Sequence, residues 1–490
     1  MTETLETSSA AGGVAAAARK RPLAAVLVAI GIPTFMVTLD NLVVTNALPV
    51  IRTDLNASLS DLQWFVSAYT LAFASMLLTA SAVGDRIGRK RLYLAGIALF
   101  TVASAACALA TEPWMLIMFR AIQGFGAAAV MPLSLPLLSE AVPEKMRSAA
   151  IGIWGGITGL GVALGPVVGG AVVEGLSWHW IFWLNVPVGI VAVPLAARVL
   201  GESFGGARKL DLLGLVLSAG GVFGVVWGVI HGAGDGWTST WVLTGLVGGG
   251  ALLIAFVLWE RRVAEPMLPL RLFAHRGYVI NVVSFTFSLG VFGSIFLLAQ
   301  YFQVVQGYSP LASGVRTMPW TMAPMVVAPL AGLIVDRVGV RTLITIGQVM
   351  LATALFWMAT VTDVHASYSS FVLPFVLGGV GMGLTFAPSA TAIMASASVG
   401  DRGMASGANS TIREVGVAMG VAVLASVFAS HGSYLSSQAY VDGLIPAIKV
   451  GAVIVAIGAF IALLLPSRKA TAEAISEGVA TPHPEVVAAH

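Results

Sequence analysis

Fourteen apolar runs of 19 to 27 residues, parted by short stretches of Gly, Pro and charge, occupy this chain almost end to end. They are Leu23–Leu48, Trp64–Gly84, Leu92–Ala110, Trp114–Ser139, Ala149–Val173, Ile181–Leu200, Leu212–Ile230, Trp241–Trp259, Val279–Phe302, Gly314–Val335, Leu343–Val361, Phe371–Ala397, Met404–Phe428 and Leu444–Leu465. A membrane-spanning helix needs about 20 such residues. Charged residues make up 10% of the 490, against about 25% in a soluble domain. That is too few to solvate the surface of so long a chain, which therefore belongs in lipid. The expected fold class is an all-α membrane protein with 14 transmembrane helices.

Several function classes fall away on composition. A net charge of +3 leaves no basic footprint for nucleic acid. Cys107 is the single cysteine, so neither an intramolecular disulfide nor a thiolate metal cluster can form. The seven histidines show no metal-ligand spacing, and no Gly-Lys pair exists to build a Walker A loop. No nucleophile, metal or acid/base cluster suggests an enzyme. The expectation is no metal, no cofactor and no catalytic residue, with work driven by something other than an ATP site of its own.

Positive charge sets the sidedness, because short cytoplasmic loops retain Lys and Arg. With the N-terminus inside, 21 of the 26 basic residues fall on the inner side; the outer loops hold Arg52, Arg316 and Lys449, and the spans keep Arg120 and Arg413. Both termini are expected in the cytoplasm. The polar segments 1–21 and 467–490 cannot bury a core and are read as disordered tails.

The run Gly84-Asp85-Arg86-Ile87-Gly88-Arg89 after the second span is echoed by Val335-Asp336-Arg337-Val338-Gly339 after the tenth. Eight spans separate the two, whereas two bare halves of six would repeat after six. The organisation expected is a six-helix bundle over 22–200, two inserted spans with linkers over 201–276, and a second six-helix bundle over 277–466. Repeated halves around a midplane site are the architecture of secondary transporters.

At these residues the chain resembles the major facilitator superfamily, in its fourteen-span drug/proton antiporter branch. Gly84–Arg91 looks like the superfamily's inner-loop signature. Leu39-Asp40-Asn41-Leu42-Val43-Val44-Thr45-Asn46-Ala47-Leu48-Pro49 is similar to the branch's first-helix motif, although Thr45-Asn46 departs from its usual Val-Asn order. Arg120-Ala121-Ile122-Gln123-Gly124 resembles the fourth-helix motif, Gly161–Gly170 the antiporter motif of the fifth, and Trp178–Pro187 the segment before the sixth. The resemblance implies two six-helix bundles with two additional central spans. It also implies a multi-pass exporter of small amphipathic drugs or antibiotics in the bacterial plasma membrane, coupled to protons. Expected partners are the substrate, protons and the lipid bilayer, with a monomeric assembly. Export or symport of a metabolite or lipid is the alternative within the class.

Asp40 is the strongest single candidate. A carboxylate inside a span is costly unless paired, hydrated or neutralised, and desolvation favours its neutral form, as a proton carrier requires. It lies 17 residues beyond Leu23, about 26 Å, so an interfacial position is the competing reading. Arg120 either snorkels to the headgroups or faces the cavity with Gln123 and Gly124. Arg413 shares a face with Gly416 and Gly420. Its neighbour Glu414 is expected to form an ion pair with another helix, a second proton site being the sharper alternative. Gly161, Gly165 and Gly169, with Gly170 beside them, form a smooth stripe for close helix approach, and Pro166 allows a kink. Asp85, Arg86 and Arg89, with Gly84 and Gly88, are read as a positive-inside turn; the resemblance implies in addition a charge latch, echoed by Asp336 and Arg337.

Overall fold

The computed structural model describes residues 22–204, 211–263, 266, 279–395 and 402–466. The expected tails 1–21 and 467–490, part of the 201–276 linker, and the side chain of Asp336 lie outside the described residues. These form fifteen helices and no strand. They are α1 (Leu23–Asp54), α2 (Leu59–Ile87), α3 (Arg89–Ala108), α4 (Pro113–Ala141), α5 (Glu144–Gly175), α6 (Trp180–Trp183), α7 (Asn185–Val199), α8 (Leu212–Asp235), α9 (Thr240–Glu260), α10 (Ile280–Val304), α11 (Pro310–Val338), α12 (Val340–Val361), α13 (Ser369–Ala395), α14 (Arg402–His431) and α15 (Ser437–Ala462).

Thirteen helical stretches are long and apolar enough to cross a bilayer, α6 and α7 together forming one of them, and α5 makes a fourteenth when its two arms count as one span. The arms, Ile153–Gly161 and Leu164–Gly175, meet at 40°. Pro166 lies just past the bend, and its missing N–H leaves the carbonyl of Val162 without its helical partner. Each of the fourteen apolar runs coincides with a span, and many helices outrun the apolar sequence. α1 runs through Pro49 to Asp54, which puts Asp40 about 21 Å from the helix end and well inside the bundle rather than at an interface.

The packing is that of two six-helix bundles, α1–α7 and α10–α15, with matching neighbours. The α1·α5, α2·α4, α3·α4 and α3·α7 pairs are answered by α10·α14, α11·α13, α12·α13 and α12·α15. The halves meet along two seams, α5 against α11 and α2 against α14. The glycines of the sequence echo explain the tight joints. Gly88 joins α2 to α3 at φ +115° and Gly339 joins α11 to α12 at φ +92°. A side chain would be strained at either angle, so glycine permits these loopless reversals.

The inserted helices break this symmetry. α8 and α9 pack on one another through Gly221, Gly224 and Gly228 against Gly245 and Gly249. α8 also lies in the groove of the second seam, where Val226, Val229 and Ile230 join Leu71 of α2 and Ala418 and Ala422 of α14. α9 turns outward, with Trp241, Val247 and Ile254 more than 60% exposed, a surface suited only to lipid.

Candidate functional site

Asp40, Arg120, Gln123, Asn185 and Ser104 meet inside the first bundle, contributed by α1, α4, α7 and α3. The Arg120 guanidinium donates from Nη1 to Asp40 Oδ2 at 2.5 Å and to Gln123 Oε1 at 2.7 Å, and from Nε to the Phe65 carbonyl at 3.1 Å. Asp40 Oδ1 accepts from Gln123 Nε2 at 2.9 Å and from Asn185 Nδ2 at 2.7 Å. Ser104 Oγ accepts from both amides and donates to the Phe182 carbonyl. The carboxylate is 1% exposed and the guanidinium 0%.

Local structure places each partner. Gln123 follows Arg120 by three residues on α4, so both face α1. Gly124 lets α2 close on α4, since a Cβ there would collide with the Tyr69 carbonyl. That approach lays the Tyr69 ring 4.2 Å from the guanidinium carbon, a cation–π contact that covers the face of the charge. Leu184 keeps helical angles, so α6 runs on into α7 as one span and Asn185 reaches Asp40 from within it.

Three donors on one carboxylate match its ionised form. Protonation would set an O–H against a donor, so taking up a proton requires at least one of these bonds to break. Arg120 Nη2 has no hydrogen-bond partner, leaving the cation with spare donor capacity. The sequence pointed Arg120 either at the headgroups or at the cavity; the structure encloses it inside the bundle, where Asp40 is its counterion.

Glu414, 6% exposed, stands on α14 at the second seam, within electrostatic reach of Tyr69. Its ion pair is with Arg413 of the same helix, Nη2 to Oε1 at 3.4 Å, rather than with another helix as expected from sequence. Oε2 has no hydrogen-bond partner. Gly416 and Gly420 fit α14 against α10, where a Cβ would meet the Phe285 and Leu289 carbonyls, while Arg413 lies 5.9 Å from the Phe386 ring.

The antiporter-motif stripe divides its work. Gly161, Gly165 and Gly169 lie against Thr38, Leu42 and Val43 of α1, inside the first bundle. Gly170 faces the other way, onto the backbone of Pro310 and Leu311 of α11, and Gly314 of α11 answers it against the Pro166 carbonyl. This crossing is at the end of the molecule remote from Pro22 and Pro466, the far end. Asn46 ties it together: its Nδ2 donates to the carbonyls of Pro166 and Pro310, both at 2.9 Å, and Gln303 donates back to the Asn46 carbonyl at 2.8 Å. Nearby, Arg52 of α1 lies 4.2 Å from the Tyr434 ring of the second half. Burial pushes the Tyr434 phenol up, so it stays neutral and donates to Gln300. Toward the other end of α5, Gly155, Gly156 and Gly159 face open space, so the close α5–α11 crossing is confined to the far end.

At the opposite end, which holds Pro22 and Pro466, Arg89 pairs with Asp85 at 2.6 Å and with Glu140 of α4, while Glu202 accepts from the Lys90 amide at 2.9 Å and lies 3.6 Å from Arg91. Gly84 packs on Leu133, Gly88 faces the Glu202 carboxylate, and Arg86 and Arg337 are exposed. These pairings tie the α2–α3 turn to its own bundle. Sequence reasoning did not single out Ser104, Asn185, Tyr69, Asn46, Gln303, Glu140 or Glu202. Polar side chains within a span are the signal that could have found the first five.

Two repeated six-helix bundles meeting along paired seams, with a buried charge pair inside the first, define a secondary transporter. The Major Facilitator Superfamily model matches residues 30–211, 193–421 and 317–486, and the chain belongs to that family. It is 37% identical over 407 residues to the multidrug resistance protein Stp of Mycobacterium tuberculosis, covering 82% of this chain and 75% of that protein. Likewise it is 35% identical over 481 residues to the puromycin resistance protein pur8 of Streptomyces alboniger, covering 93% and 94%. Its fold is similar to that of a bacterial homologue of the human lysosomal transporter Spinster, at TM-score 0.64 and 17% identity over 92% of this chain and 98% of the other.

Proposed function

We propose that this chain is a proton-coupled exporter of small amphipathic drugs or antibiotics, acting by alternating access in the bacterial plasma membrane with both termini in the cytoplasm. The observation that carries the coupling is the buried Asp40–Arg120 pair, in which the carboxylate accepts from three side chains. In the state described above Asp40 is ionised, the far end is closed, and substrate enters from the cytoplasmic side. Opening the far end rearranges α1, which carries both Asp40 and the Asn46 tie. A proton then reaches Asp40 from outside, its bond to Arg120 loosens, and substrate leaves. The names and lengths of the antibiotic-resistance relatives support the substrate class. The excess of basic residues at the end holding the termini supports the orientation. The α2–α3 turn would latch the cytoplasmic side when the halves close there. Cargo and protons are the only partners this cycle needs, with no cofactor and no second subunit.

Inverted vesicles carrying the protein should accumulate puromycin when their lumen is acid, and an uncoupler should abolish the uptake. Uptake that ignores the pH gradient would rule out proton coupling, and no uptake of any compound in an antibiotic panel would favour export of a metabolite or lipid. Glu414 offers a second proton site at the seam; in that role Glu414→Gln lowers the number of protons moved per substrate, and an unchanged ratio removes it.

A further inference from the structure

The far-end crossing also carries a carboxylate tie. Glu174 is in the last turn of α5, four residues beyond Gly170 and so on the same face, and its Oε2 accepts from the backbone amide of Leu311 at 3.2 Å. That amide belongs to the first turn of α11. Pro310 opens the helix without an N–H, Ala312 donates to the Ser309 hydroxyl at 3.3 Å, and the Leu311 amide is satisfied from the other half of the molecule. Asn46 and Pro166 border both this crossing and a small apolar chamber lined by Leu42, Ala299 and Trp320, so whatever holds the crossing also roofs the space between the halves.

Glu174 is unfavourable for its own helix. A carboxylate in a last turn opposes that helix's dipole, whereas one at a first turn is favoured. Glu174 therefore gains from α11 what it loses on α5, and it does so only when it is ionised and the two helices stay together. It is exposed, whereas Asp40 is buried, so a proton from the water at the far end reaches it without entering the bundle. Of the charged and titratable groups on the surrounding elements, Arg52 lies against the Tyr434 ring, Asp54 accepts from the Trp178 indole, His179 stacks on that indole, and Arg316 sits over the Tyr308 ring with Tyr368 beside it. Among the described residues none of them forms an ion pair with Glu174.

We propose that Glu174 is a proton-released bolt on the far-end gate: ionised, it clamps α5 of the first half to the N-terminus of α11 in the second, and protonated, it lets the crossing part. The proposal rests on the exporter reading, and it adds a second and separate use of the outside proton. The proton on Glu174 comes from the far side and returns there when the crossing re-forms. It times the opening and adds nothing to the number of protons carried per substrate, which remains the work of Asp40. Glu174 touches no cargo and is a positioning residue.

The test measures distances between spin labels on the purified full chain in lipid nanodiscs. Leu176→Cys in the first half and His365→Cys in the second, both exposed at the far end, carry the labels, and Cys107→Ser removes the native thiol. At pH 7.5, Glu174→Gln should raise the ratio of long to short distances about fivefold, the worth of one charge at a helix N-terminus. Because only the ionised carboxylate draws on the dipole, the gap between Glu174→Gln and its parent should shrink to about half or less at pH 4. Titration of Asp40 is common to both proteins and leaves the gap alone, and a merely structural role for Glu174 would keep it constant. An unchanged ratio in Glu174→Gln at pH 7.5 overturns the proposal. So does a gap that is the same at both pH values. Failure of the exporter reading is separate: it would appear as absent puromycin uptake in vesicles, with the distance difference still measurable.

Discussion

Asp40→Asn stops proton-driven export and also destabilises the protein, whereas Asp40→Asn with Arg120→Gln stops export but recovers most of the stability. The reasoning starts from burial. Arg120 is 0% exposed, and among the described residues Asp40 is the only carboxylate bonded to it. Removing one partner of a buried pair leaves an uncompensated charge and costs about 3–5 kcal/mol, while replacing both by neutral groups is often close to neutral. Asn keeps the shape of Asp40 and can still accept from Gln123 and Asn185, and Gln at position 120 removes the charge while keeping a polar amide. Neither variant can load a proton at position 40. Thermal unfolding of purified protein reads the first effect and gradient-driven uptake the second. Full export by Asp40→Asn would remove Asp40 from the coupling scheme. If the double variant were less stable than the single, the pair would not be mutually compensating.

The second large effect lies at the far-end crossing. Gly170→Val and Gly314→Val each place a branched side chain where only backbone now fits, against Pro310 and Pro166 respectively. Overpacking of this kind costs about 1–3 kcal/mol. Charged to the closed far end alone, that is about a 5- to 150-fold shift toward the state open there. The lone cysteine is buried, so Cys107→Ser with Ala299→Cys gives a single reporter in the chamber wall. Its labelling from outside by a membrane-impermeant maleimide should rise by at least about fivefold in either variant. Gly155→Val is the control, because nothing lies within 4 Å of a Cβ built there. Equal labelling in all three would show that the crossing does not hold the far end shut.

The spans were legible because lipid leaves the sequence little freedom: an apolar run of 20 residues has one structural outcome. The two-bundle plan followed from Gly88 and Gly339, whose turn chemistry repeats. Asp40 and Arg120 stood out as charges where charge is expensive. Their meeting did not, since it depends on how α1, α4 and α7 pack in space, and on Gly124 admitting α2, which has no periodic signature. Helix ends were also hidden. Apolar runs stop where lipid stops, while helices continue through residues such as Pro49 to Asp54, and this moved Asp40 from a doubtful surface position to the interior. Glu414 was misjudged because neighbouring residues on a helix point apart at their Cα atoms, yet long side chains such as Arg413 can fold back to each other.

The placement of α8 has a mechanical consequence. It is wedged against α2 and α14 together, with the Trp227 and His231 rings packed at an angle on Trp64, so the second seam is splinted from outside. The α5–α11 seam carries no such splint. Any rocking of the halves that keeps α8 seated must have its axle near α2 and α14 and its longest stroke at α5 and α11. The molecule is then a jaw hinged on one side rather than a symmetric clamp, and its bite falls where Gly170 meets Pro310.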